Sequence, residues 1–183
     1  MEFNDEVLHL IKSYPTDGTH DYDWPKQGGA FDGVTKDLIY KGVPIAKSRP
    51  DGKTYCCGLT FEIWFEIATK LGIDLISASN AKRIKSDWFV ATGKRRGCVD
   101  ALVPRHFGIQ INDIAEAKPG DFVQLWRHSG SGHSVILMDH THGTITYWST
   151  QPITHGIGIH TEIFDRPEIK NSISQMFIVR GTI

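Results

Sequence analysis

Residues 55–72 read YCCGLTFEIWFEIATKLG, and their reading decides the fold. Leu59, Ile63, Ile67 and Leu71 recur every four residues, Trp64 and Ala68 widen the stripe, and Phe61 and Phe65 flank it. The period predicts a helix over 57–71 that is apolar around most of its circumference, which belongs in the centre of a fold. Gly72 follows where a left-handed residue can end it. Upstream, 5–14 (DEVLHLIKSY) predicts a short helix capped by Asn4 or Asp5. Residues 15–54 are rich in Gly, Pro and Asp and read as loop with one short element. Downstream, 79–108 predicts one or two weaker helices. From residue 121 the period changes to short β-branched or aromatic runs: DFVQLW (121–126), HSVILM (133–138), TITYWS (144–149) and QMFIVR (175–180). Helices first and an antiparallel sheet second is an α+β pattern.

With 183 residues the chain suits one domain, 1–183. A chain of this size buries roughly 70% of its unfolded surface and needs no metal or disulfide staple. Lys plus Arg total 20 against 21 Asp plus Glu, so no global charge draws the chain to nucleic acid or an anionic membrane. No run approaches the ~18 apolar residues of a membrane span. Three cysteines, two of them adjacent, make a poor disulfide framework. The first fifteen residues are acidic and broken by polar side chains, unlike a signal peptide. The expectation is a cytoplasmic protein with free thiols, with export by a route that reads no cleavable signal as the alternative.

Cys56 and Cys57 stand at the amino end of the central helix. A thiol there feels the positive end of the helix dipole and unpaired backbone N–H groups, both of which favour the thiolate. The same N–H groups can bind the oxyanion formed when that thiolate attacks a carbonyl, and Gly58 leaves room for close approach. His133 heads the run HSVILM just after the turn SGSG. An imidazole there can face a cleft, take the thiol proton and return it to a leaving amine.

These residues resemble a known family. Tyr55-Cys56-Cys57-Gly58-Leu59-Thr60 is similar to the D-C-S-G-L motif of the NlpC/P60 cysteine peptidases. The stretch from Ala117 to Trp126 resembles that family's P-G-D-L-V-F-F strand, and Gly132-His133-Ser134-Val135-Ile136-Leu137 its G-H-V-G-I-Y strand. The motifs occur in the family's order and cover roughly 37–155. The resemblance implies a papain-like fold and cleavage of an amide bond in peptidoglycan stem peptides or a related small amide, with no metal and no cofactor. It implies Cys56 as nucleophile, with Cys57 as the alternative, and His133 as general base. A third polar residue on the following strand would orient the imidazole. Gln151 fits through its carboxamide, and Ser149, on the same side by alternation, is second. Tyr55 occupies the position of the motif's Asp, and Tyr40 and Tyr55 are the candidates to line the oxyanion site beside Cys57. Acyl transfer on the same scaffold and an inactive binding module are the alternative functions.

Other groups read more simply. Asp139, His140 and His142 form D-H-x-H, a spacing some metal sites use, but the segment ends in Gly143 and reads as a hairpin turn. His155 and His160 flank a predicted turn at Gly156-Ile157-Gly158. Lys82, Arg83, Lys85, Lys94, Arg95, Arg96 and Arg105 read as a charged helix face. The expected partner is a peptide or peptidoglycan fragment, not nucleic acid or membrane, and oligomeric state is unreadable.

Overall fold

The computed structural model describes residues 2–25, 29–90 and 95–182; Lys94 lies outside them. The apolar repeat becomes helix α2, Cys56–Lys70, and Gly72 follows its end at φ +70°. Leu59, Phe61, Ile63, Trp64 and Ala68 are fully buried, and full burial of a large apolar side chain is worth about 1.5–3 kcal/mol. Around α2 stand α1 (Phe3–Ile11), α3 (Ala78–Trp88) and the short α4 (Cys98–Leu102). Helix α1 begins earlier than expected: Glu2 is its N-cap, in a capping box with Asp5, and neither Asn4 nor Asp5 caps it.

Two strands, β1 (Leu38–Tyr40) and β2 (Val43–Ala46), form a small hairpin inside the loop-rich stretch. Six more, β3 (Gly108–Ile111), β4 (Phe122–Arg127), β5 (Gly132–Thr141), β6 (Thr144–Gln151), β7 (Gly156–Ile163) and β8 (Ile173–Gly181), form an antiparallel sheet in the order β3-β8-β4-β5-β6-β7. The architecture is mixed α and β, with four helices among the described residues and an antiparallel sheet. Strand β3 follows directly on the expected helical stretch 79–108, in a segment to which the sequence reading assigns no element. Strand β7 replaces the expected turn at Gly156-Ile157-Gly158 and puts His160 opposite Tyr147. The β5–β6 turn is His142-Gly143, both at positive φ, so Asp139 and His140 lie in the strand. No helix among the described residues is long and apolar enough to cross a membrane.

Alternation gives the sheet two faces. Phe122, Ile136, Trp148 and Val179 pack with the helices, while Val123, Leu125, Val135, Leu137, Ile145 and Tyr147 form a second apolar cluster on the other side. Buried polar groups lock the loop-rich segment onto α2. Glu62, fully buried, accepts from Thr35 N–H at 2.6 Å, from the Thr35 hydroxyl and from the Tyr14 hydroxyl at 2.8 Å. Burial pushes its carboxyl above the usual range despite these donors. Lys85 pairs with Asp32, Arg105 with Asp87 and Arg96 with Asp100, so these members of the basic stretch are tied to local carboxylates.

The room at Gly58 is taken by the chain itself, not left for a substrate: a Cβ there would lie 2.0 Å from the Asp32 carbonyl oxygen. Backbone atoms cannot retreat as a flexible side chain can, so Gly58→Ala is expected to destabilise the fold by about 1–3 kcal/mol. Urea unfolding checks this, and an unchanged midpoint contradicts the close packing of residues 32–33 on α2.

Candidate active site

The amino end of α2 is open. Tyr55 is the N-cap but makes no side-chain capping bond, and the first turn holds no acidic residue. The leading N–H groups therefore keep their partial positive charge for whatever lies in front of them. Thr60 fixes this turn against the sheet. Its hydroxyl bonds the Cys56 carbonyl at 3.0 Å and the Ser134 hydroxyl at 2.8 Å, and accepts from Trp88 Nε1 at 3.1 Å. Helix and strand are thus clamped one residue from His133 and four from Cys56.

Cys56 and His133 share a cleft of about 230 Å³ with Cys57, Tyr22, Trp24, Val90, Gln124, Ser131, Gly132 and Ser134. The Cys57 thiol, His133 and the Ser134 backbone N–H stand around the Cys56 sulfur and favour its ionised form. The Cys57 bond and the His133 charge hold the Cys56 thiol well below its usual range, against burial. Burial drives Cys57 the other way, and its bond to Cys56 adds to the rise, so Cys57 keeps its proton and donates it. Burial also pushes Cys98 up to about 12, and it lies in the core. Of the three thiols Cys56 is the one whose surroundings favour the anion.

His133 is 5% exposed, and its Nε2 has no hydrogen-bond partner among the described residues. Ser149 and Gln151 lie beside His133 on β6. The Ser149 hydroxyl donates to the Ser134 carbonyl at 2.8 Å, which braces β5 and spends its only proton. Continuing the β5–β6 register, in which Ile136 faces Trp148, brings Gln151 level with His133. The Gln151 carboxamide meets the Tyr147 hydroxyl at 3.0 Å, and its other end is buried without a partner.

Two expected residues are elsewhere. The Tyr40 hydroxyl donates to Asp74 at 2.8 Å and accepts from Leu75 N–H, on the hairpin side of α2. Tyr55 turns its ring under Gly33, which has no Cβ to obstruct it, and donates to the Phe31 carbonyl at 3.2 Å. Neither lines the cleft, and neither can hold an oxyanion there. The tyrosine that lines the cleft is Tyr22, which the sequence reading missed. A bridge between Tyr22 and Thr54, with Asp23 N–H donating to the Thr54 carbonyl at 2.9 Å, lays it alongside the approach to α2. Burial, then the facing thiols, pushes its hydroxyl up, so it stays a donor. Its only sequence signal is Tyr22-Asp23-Trp24, an aromatic pair within a polar loop. Trp24 stacks edge-on over Tyr55 at 5.1 Å and walls the same cleft.

The described residues contain no group of three or more His, Cys, Asp or Glu arranged to hold a metal ion. His140 instead places its Nε2 3.4 Å from the Ala117 carbonyl. Comparison of the chain with family models, with curated proteins and with solved structures gives no match.

Iodoacetamide at pH 6–7 is expected to modify Cys56 and to leave Cys57 and Cys98 intact, as read by peptide mass spectrometry. His133→Ala removes both a charge and a donor from the sulfur, so labelling at pH 6 should fall at least about tenfold and its midpoint should rise. Equal labelling of all three cysteines, unchanged by His133→Ala, contradicts the site.

Proposed function

We propose that the chain is a cysteine hydrolase of the papain-like NlpC/P60 type, cleaving an amide bond in peptidoglycan stem peptides or a related small amide. The observation that carries this reading is Cys56 at an uncapped helix start, lining one cleft with His133. The three ordered motifs around Cys56, Pro119 and His133 support the same reading. The cleft is smaller than the ~300–1,000 Å³ of sites that enclose a drug-sized ligand. It suits the scissile amide and one flanking side chain.

The Cys56 thiolate adds to the amide carbon, and the carbonyl oxygen takes the negative charge. N–H groups of the first turn of α2 and the Tyr22 hydroxyl are the donors that receive it. His133 gives its proton to the departing nitrogen, the C–N bond breaks, and an acyl-thioester with a free amine results. Water then attacks the thioester as His133 takes its proton. The C–S bond breaks, the acid leaves, and the thiolate–imidazolium pair returns.

Purified muropeptides and a panel of short peptide amides, incubated with the protein and weighed by liquid chromatography and mass spectrometry, test the reading. Fragments whose masses sum to substrate plus water are expected, and Cys56→Ala should produce none. Tyr22→Phe should lower kcat by about 10²-fold with KM little changed, as loss of one oxyanion donor does. No cleavage of any substrate by a protein whose Cys56 still alkylates rapidly contradicts hydrolysis. Products joined to an added amine in place of water make the chain a transferase.

A further inference from the structure

Behind His133, on the sheet face away from the helices, lies a buried charged cluster that the reaction above does not use. Arg127 on β4 grips Glu162 on β7 through two bonds, Nε to Oε2 at 2.8 Å and Nη2 to Oε1 at 2.5 Å. Their side chains are 16% and 12% exposed. Two strands separate these residues in the sheet order, a span of about 14 Å on a flat sheet at the usual strand spacing. The sheet therefore curls toward this face to let them meet. Burying an ion pair costs desolvation energy that well-packed apolar residues avoid, so its presence beside a reactive pair asks for a reason.

The reason is legible in the proton count at Tyr147. This fully buried residue stands between the ion pair and the site. Its hydroxyl touches Glu162 Oε1 and the Gln151 carboxamide, and its ring meets the His133 ring edge-on at 5.7 Å. One hydroxyl proton cannot serve two acceptors. The carboxylate takes it. Gln151 stands with Oε1 toward Tyr147 and Nε2 without a partner; the proton count calls for the amide to be turned over, NH2 toward the Tyr147 oxygen and carbonyl oxygen at the unpartnered end. His133 Nε2, level with it on β5, is the donor that likewise has none.

We infer that Glu162 is a positioning residue for His133: through Tyr147 it sets the orientation of Gln151, which gives the imidazole an acceptor on the side away from Cys56. Arg127 holds Glu162 in place. The groups around the reacting pair are Cys57 on α2, Tyr22 in the loop, Tyr147 on β6, Arg127 on β4, and Glu162 and His160 on β7. His160 lies 5.9 Å from the Tyr147 ring. Burial pushes the Glu162 carboxyl up, but the Arg127 and Tyr147 bonds and the His133 charge outweigh it, so Glu162 stays ionised. The assignment rests on the proposed roles of Cys56 and His133, and its test needs no substrate.

The rate of Cys56 alkylation by iodoacetamide is measured from pH 4 to 10 in the full chain, wild type against Glu162→Gln and Tyr147→Phe, with circular dichroism to show folding. Glu162→Gln frees the Tyr147 proton to donate to Gln151, and Tyr147→Phe removes the link while leaving the ion pair. Both are expected to slow alkylation at pH 6 about tenfold and to move the midpoint upward by about one pH unit. Loss of packing alone would change thermal stability and leave the midpoint in place. Wild-type midpoints in both folded variants overturn the inference, as does a shift in Glu162→Gln with none in Tyr147→Phe. Should Glu162→Gln fail to fold, Tyr147→Phe decides. Absence of amide cleavage with these shifts present would count against hydrolysis alone and leave the positioning role standing.

Discussion

The Thr60 hydroxyl is the point at which helix, sheet and site meet. It holds the Cys56 carbonyl, the Ser134 hydroxyl and the Trp88 indole at once. A threonine inside a helix usually bonds back to the preceding turn; this one also reaches across to the strand that carries His133. Ser149 adds a second brace by donating to the Ser134 carbonyl. A buried hydroxyl stripped of such partners leaves polar groups unsatisfied at about 1–3 kcal/mol each. The clamp is therefore a stability device and an alignment device in the same atoms. A misplacement of about 1 Å between a thiolate and its imidazole is enough to cost a large factor in rate.

From that clamp the electrostatics follow in layers. The uncapped first turn of α2 supplies aligned N–H groups. Cys57, as a protonated neighbour, donates to Cys56 rather than competing with it. His133 supplies the counter-charge, and Gln151, Tyr147, Glu162 and Arg127 form a chain of fixed polarity behind the ring. The first layers come from local sequence, two adjacent cysteines at a helix start. The last comes only from sheet curvature, which brings β4 and β7 together.

That division explains what could be read before the structure. The four-residue repeat of Leu59, Ile63 and Ile67 made α2 plain, and β-branched runs made β4, β5, β6 and β8 plain. Strand β7 was hidden because Gly156 and Gly158 mimic a turn, and its outer residues, such as Ile159, face solvent and break the pattern. Strand β3 is four residues long and sits at a sheet edge, where little sequence signal is required. Cys56 and His133 stood out because each opens an element. Tyr22 did not, because a bridge to Thr54 and hydrogen bonds within a loop place it, with no periodicity to mark it. Tyr55 looked better by proximity, yet a residue next to Cys56 along the chain points where the backbone sends it, here under Gly33.

The central claim is that Cys57 and His133 favour the ionised form of Cys56 in the resting protein. Thiolate absorbance near 240 nm, taken as wild type minus Cys56→Ala across pH 3 to 10, reads that state directly. The account predicts one thiolate's worth of absorbance at pH 6, lost only on further acidification and lost together with His133 in His133→Ala. Absorbance that first appears above pH 8, at the same pH in wild type and His133→Ala, would contradict it.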